Sequence, residues 1–154
     1  GTGTNSRDLR QPVEAPERYE SGTLNAPSII GLGAAIRYVS SLKTVRAHET
    51  ALIRRLEEKL RNMEPVILYG PENPEEKTGV TAFNIEGMDC EEVGDQLNRY
   101  GIAVRAGFHC AGLAHKTIGT SEIGCIRISV GPYNTAREMD AAAEAIWRIC
   151  RNQK

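Results

Sequence analysis

The sequence predicts a mixed α/β (α+β) sandwich, a small sheet covered by helices. Three observations predict it. Apolar residues recur at helical spacing in long segments, and between those segments lie short runs of β-branched and aliphatic residues. The order of these segments is α-α-β-β-α-β-loop-β-α, so strands and helices interleave. The chain has 154 residues, 40% of them apolar and 25% charged, which suits one soluble globular domain or part of a larger one.

Residues 1–24 are polar and broken by Gly and Pro, and are expected to form an extended arm. Asn25 offers an N-cap with Pro27 in the first turn, which opens a helix running to about Ser40. Its Gly31–Ala35 stretch (GLGAA) is a small-residue face. The GxG within it follows no strand, so it is not read as a nucleotide loop. A second helix spans Thr44–Met63, with Val45, Leu52, Ile53, Leu56, Leu60 and Met63 on one stripe. Its opposite face carries Arg, Lys and Glu and is expected to be solvated.

Val66–Tyr69 and Val80–Ile85 read as strands on either side of a turn-rich loop, GPENPEEKTG. Asp89 can cap a helix from Cys90 to Tyr100, which Gly101 ends. Ile102–Arg105 reads as a short strand leading into RAGFHCAGLAHK, a loop with glycines at Gly107 and Gly112. In Cys125–Val130 the residues alternate, with Ile126, Ile128 and Val130 on one face and Cys125, Arg127 and Ser129 on the other. Thr135 and Glu138 form a capping box for a last helix that buries Met139, Ala142, Ala143, Ile146 and Ile149.

A net charge of −1 gives no general attraction to nucleic acid or to membrane surfaces, and neither is expected as a partner. No apolar run approaches the roughly 20 residues that span a bilayer. The chain begins GTGTNS without an initiator Met, which reads as a processed, truncated or engineered start and leaves open residues upstream. Four cysteines without a CxxC pair suggest reduced thiols and a cytoplasmic setting. His109, Cys110, His115 and Cys125 match no usual ligand spacing, so no metal is expected. Cys90, Cys125 and Cys150 fall on regular elements and read as packing residues.

Two residues stand out. Cys110 has His109 beside it and Arg105 five residues back, and nearby cations favour the nucleophilic thiolate. It is either a reactive thiol or an ordinary small loop residue. Arg127 interrupts an aliphatic strand, which is costly unless the arginine is paired. Its partner could be a protein carboxylate or a ligand carboxylate held in bidentate fashion.

Three segments together carry a resemblance over nearly the whole chain: RYESGTLNAPSIIGLGAAIRYV, YGIAVRAGFHCA and CIRISVGPYNT. The chain resembles the small C-terminal domain of class V aminotransferase-fold (fold type I) enzymes that depend on pyridoxal 5'-phosphate. Within these it is most similar to the cysteine desulfurase and selenocysteine lyase group. The resemblance implies that Cys110 takes sulfur, or selenium, from L-cysteine or L-selenocysteine as a persulfide and leaves alanine. It implies that Arg127 binds the substrate carboxylate, that Arg105 and His109 line the same pocket, and that Gly22 and Thr23 reach the cofactor phosphate of a homodimer partner. It places Gly1–Ser6 near that phosphate, residues 1–24 as a dimer- and cofactor-facing arm, and residues 25–154 as the cysteine-bearing domain. The short spacing of 15 positions from Cys110 to Cys125 resembles the short-loop (SufS-like) branch, in which the persulfide needs an activating partner, such as a sulfur-acceptor protein, to leave.

Two features depart from the family. Phe108 stands where the family often has a first histidine. The domain that carries the cofactor lysine has no counterpart here, and His115-Lys116 comes after the cysteine, in the wrong place for that lysine. The chain alone is therefore expected to be inactive. The alternatives are a domain of another class V enzyme, in which Cys110 is incidental, and a non-enzymatic persulfide carrier or interaction module.

Overall fold

A computed structural model describes residues 7–20 and 22–152. The contacts divide the chain into two units, 1–43 and 44–154. In the first, Gln11 Nε2 donates to the carbonyls of Glu17 and Glu20 at 3.1 and 2.9 Å, closing a loop that ends in a 3-10 turn, Glu17–Tyr19. Helix α1 (Ala26–Ser41) follows, and Asn25 accepts from the Ser28 amide at 3.2 Å, as its place in the sequence predicts. No residue of α1 is buried, although Ile29, Ile30, Leu32, Ile36 and Val39 are all apolar. Gly22 and Thr23 lie exposed before it, and Gly1–Ser6 fall outside the described residues.

The second unit is a four-stranded sheet packed on one face by helices. Its elements are α2 (Val45–Leu60), β1 (Val66–Tyr69), β2 (Val80–Ile85), α3 (Cys90–Arg99), β3 (Arg105–Gly107), α4 (Gly112–Ile118), β4 (Cys125–Ser129) and α5 (Ala136–Arg151). The strand order is β1-β2-β4-β3 and every pairing is antiparallel. Strands and helices interleave along the chain, yet β4 inserts between β2 and β3, so the sheet is of the α+β kind.

Strand alternation divides the sheet into two faces. Leu68, Phe83, Ile126 and Ala106 form one row across the four strands, on the helix side. With Leu52, Ile53, Leu56, Leu60, Val93, Leu97, Met139, Ile146 and Ile149 these residues build the core. The neighbouring row, on the other face, is Tyr69, Ala82, Arg127 and Arg105.

The caps lie where the sequence puts them. Asp89 Oδ1 accepts from the Glu91 and Glu92 amides at 2.9 and 3.1 Å. Thr135 and Glu138 form the reciprocal box, with the Thr135 amide donating to Glu138 Oε2 at 2.6 Å. Gly101 takes a φ of +76°, the left-handed position that ends α3.

Three expectations are corrected. The third strand is Arg105–Gly107 rather than Ile102–Arg105, because pairing with Cys125–Arg127, and not apolar content, defines it. The segment after Cys110 is not all loop, since it winds into α4 and stops at Gly119 with a φ of +75°. The charged face of α2 is not all solvated. Glu57 is 2% exposed and accepts from Lys77 Nζ and Thr81 Oγ1, both at 2.5 Å. This buried pair clamps the 70–79 loop against α2. On the rim, Asp140 accepts from Arg55 Nε and Nη2 at 2.8 Å each and lies 3.0 Å from Lys59 Nζ, joining α2 to α5.

Candidate functional site

The candidate site occupies the end of the sheet where β3 pairs with β4, together with the turn between β3 and α4. Cys110 is exposed at the tip of that turn. The Phe108 carbonyl accepts from the Ala111 amide at 2.9 Å, and the two residues between, His109 and Cys110, have φ of 53° and 55°. Positive φ at both central positions is the pattern of a type I′ turn, normally filled by Gly or Asn. A side chain in that conformation costs roughly 1–2 kcal/mol per residue. The cysteine is thus held outward on a strained turn.

Several contacts hold the turn in place. His109 Nε2 lies 3.0 Å from the Cys125 carbonyl, which can only accept, so Nε2 carries the hydrogen. The His109 and His115 rings stack at 5.8 Å with 26° between planes, and Phe108 meets His115 edge-on at 5.4 Å. His115 is buried, with Nδ1 2.7 Å from Thr120 Oγ1. Below them, β3 and β4 approach closely at Gly124. A Cβ there would lie 3.0 Å from the Gly107 carbonyl carbon and oxygen and from Cys90 Sγ, and the residue has a φ of +63°. Asn84 Nδ2 also donates to the Gly124 carbonyl at 3.0 Å.

Arg105 and Arg127 are direct cross-strand partners, so both side chains leave the sheet on the same face. Arg127 Nε is buried without a hydrogen-bond partner, and neither arginine has an ion-pair partner among the described residues. Of the two partners open to Arg127, a protein carboxylate and a ligand carboxylate, the first is therefore not present among the described residues. Ala82, a small side chain, is the cross-strand neighbour of Arg127 on its other side in the row. The positive charge is felt at the turn. Burial first, and then Arg127, His115 and Arg105, push the His109 imidazole below its usual range. Burial pushes the Cys125 and Cys90 thiols up.

The fold thus gathers Arg105, His109, Cys110 and Arg127 at one end of the sheet. Gly22 and Thr23 belong to the other unit and are exposed. Sequence reasoning weighed His115 only as a metal ligand or cofactor-lysine neighbour and missed that it braces the turn with Thr120; it also missed Gly124, which allows the strands to close. The available signal was Gly119 placed just after LAHKTI, a helix stop. The fold also brings His109, His115 and Cys125 within 4.8 Å of one another, a juxtaposition that their sequence spacing hides. Open grooves lie elsewhere. One, of about 450 Å³, runs along α3 beside Glu91, Asp95 and Asn98. Another, of about 710 Å³, lies between the ends of α2 and α5 beside Met63, Trp147 and Cys150.

An exposed cysteine on a strained turn and a cross-strand arginine pair without an ion-pair partner among the described residues thus share one end of the sheet. Residues 3–142 match the aminotransferase class-V domain, and the chain belongs to that family. It is 41% identical over 141 residues to a cysteine desulfurase of Salmonella agona, covering 90% of this chain and 34% of that one. Its fold matches the apo cysteine desulfurase of Thermococcus onnurineus NA1 with a TM-score of 0.80 at 35% identity, covering 90% of this chain and 34% of that one. It matches the cysteine desulfurase CsdA of Escherichia coli with a TM-score of 0.77 at 28% identity, with the same coverage. The chain therefore spans about a third of the length of these relatives. No helix among the described residues is long and apolar enough to cross a membrane.

Proposed function

We propose that this chain is the cysteine-bearing domain of a pyridoxal phosphate-dependent cysteine desulfurase, with residues 1–24 as its arm toward cofactor and dimer partner. One observation carries the reading. An exposed cysteine on a strained turn lies at the same end of the sheet as two unpaired arginines in register, a cradle for an amino-acid carboxylate. The relatives named cysteine desulfurase support it.

Arg127 and Arg105 hold the substrate carboxylate, which turns the substrate thiol toward Cys110. The Cys110 thiolate attacks the substrate sulfur. An S–S bond forms, the substrate's carbon–sulfur bond breaks, and that bond's electron pair stays on carbon, which takes up a proton to give alanine. His109, neutral and anchored to the Cys125 carbonyl, lines the pocket and fixes the turn. Pyridoxal phosphate supplies the electron sink that lets carbon accept this pair.

The unpaired arginine pair suits the substrate end of such a site, and Gly22 and Thr23, both exposed, would reach the phosphate of a homodimer partner's cofactor. Among the described residues, none supplies the cofactor lysine. Lys77 is engaged by Glu57 and Lys59 by Asp140, while Lys43 and Lys116 are exposed. We place that lysine outside this sequence, and propose a homodimer, a cytoplasmic setting and a sulfur-acceptor protein. Selenocysteine is an alternative substrate of the same geometry.

The test is alanine and sulfide release from L-cysteine by the complete enzyme. Cys110→Ala is expected to abolish both. Full activity in that variant would show that Cys110 is incidental and that the reaction belongs to another class V chemistry.

A further inference from the structure

We propose that His109, His115 and Cys125 form a binding site for one soft, closed-shell metal ion, copper(I) or zinc(II). The three donors come from three elements: the cysteine turn, α4 and β4. Their ligand atoms already lie within 4.8 Å of one another, and His115 and Cys125 are each 2% exposed. Bonds of about 2.0–2.3 Å to a shared ion set such donors about 3.5 Å apart, so the cluster closes with a contraction of about an ångström, within reach of side-chain rotation.

The hydrogen-bond pattern makes the donors available. Because His109 Nε2 donates to the Cys125 carbonyl, its Nδ1 carries the lone pair, and this atom is buried with no partner. A packing trio with no ligand to hold would leave that atom's desolvation uncompensated. His115 Nδ1 is held by the Thr120 hydroxyl, which leaves Nε2 to face an ion. Both contacts are outer-shell supports of the kind that orient metal-binding imidazoles. Cys125 contributes its sulfur as thiolate, and its proton leaves to solvent on binding.

The charge around the cluster selects the ion. One thiolate and two neutral imidazoles neutralise a monovalent ion but leave a divalent one with a net positive charge beside Arg127 and Arg105. Among the described residues, no carboxylate joins the cluster. Thiolate and imidazole donors suit both copper(I) and zinc(II), and the two arginines tilt the choice toward copper(I). An occupied site would tie the turn to β4 and α4 and lock His109 next to Cys110. That consequence for sulfur transfer rests on the function proposed above, whereas metal binding itself does not.

The test uses the 154-residue chain, reduced and freed of metal. It is titrated with cobalt(II), a visible stand-in for zinc, and with copper(I) in competition with a chromogenic chelator. Each ion is expected to bind at one per chain, and the competition shows which one the site selects. The cobalt complex should display a thiolate-to-metal charge-transfer band that Cys110→Ser keeps and Cys125→Ser loses. Thr120→Val should weaken binding by about tenfold. His109→Ala, at a half-buried position, is the second ligand variant should Cys125→Ser fail to fold, and it should lose binding while keeping its helical signal. Failure of both ions to bind at one per chain overturns the proposal. So does undiminished binding in His109→Ala, or a band that disappears in Cys110→Ser, which would put the ion on the exposed thiol.

Discussion

Arg105 on β3 and Arg127 on β4 are direct partners across the antiparallel register, with no carboxylate paired to either among the described residues. Like charges placed opposite one another in a sheet destabilise it by roughly 0.2–1 kcal/mol. The fold carries this repulsion, together with the orphaned Arg127 Nε, at the place where the proposed chemistry needs an anion. Replacing Arg127 by Met is therefore expected to stabilise the chain by about 1 kcal/mol, by removing the unsatisfied group and the repulsion. Malonate, a small dicarboxylate, should raise the melting temperature of the original chain and leave the variant unmoved. Destabilisation by Arg127→Met, with no anion effect in either protein, would show that the arginine serves the fold alone.

The turn carrying Cys110 makes the same exchange of stability for position. Cys110→Gly relieves one side chain held at a φ of 55° and is expected to stabilise the chain by about 1 kcal/mol while removing the thiol. Cys110→Ser keeps the strain and the exposure, and should lie within about 0.5 kcal/mol of the original in chemical denaturation. Equal stabilities for the glycine and serine variants would mean that the turn relaxes once the thiol is gone.

Gly124 sets how closely β3 approaches β4. An alanine there would push its Cβ against the Gly107 carbonyl and Cys90 Sγ at 3.0 Å, in a left-handed conformation. The expected loss exceeds about 1 kcal/mol, and amide exchange should quicken first in Arg105–Gly107. Uniformly faster exchange across the sheet would place the effect elsewhere.

Much of this architecture was legible in the residues. Strands β1 and β2, the Asn25, Asp89 and Thr135 caps, and the alternation that sets Ile126 and Ile128 against Arg127 all follow from local chemistry. What was not legible depends on long-range contact. β3 is a strand only because Cys125–Arg127 pairs with it. α4 is seven residues long and has no side-chain cap, so its only local signal is Gly119. Cys110 and Arg127 are visible as odd residues in their own segments. Their supports, His115, Thr120 and Gly124, become meaningful only once β3, α4 and β4 are brought together.

Glu57 shows the same limit from the side of the charges. On the helix it reads as one more solvated acid, yet it is 2% exposed, with Lys77 and Thr81 on one oxygen and Arg61 Nη2 at 3.5 Å from the other. Removing one partner strands a buried charge. Glu57→Ala is expected to cost about 3–5 kcal/mol in urea denaturation, and Glu57→Met with Lys77→Met much less than the sum of the single changes. Additive costs would show that the two side chains do not stabilise each other.

His109 gives the chain a pH dependence of definite sign. Burial, and then the charges of Arg127, His115 and Arg105, lower its folded pKa from the reference value of 6.5. The unfolded chain therefore binds the proton first as pH falls. This contribution to stability is complete above the unfolded value of 6.5 and is lost as pH falls from there through the lower folded value. His109→Gln can still donate to the Cys125 carbonyl but does not titrate, so it should flatten the stability profile in that window and leave the profile above neutrality unchanged. The measurement is urea denaturation of both proteins from pH 8 down through the imidazole range. A variant whose profile falls in parallel with the original would show that the acid sensitivity comes from other groups.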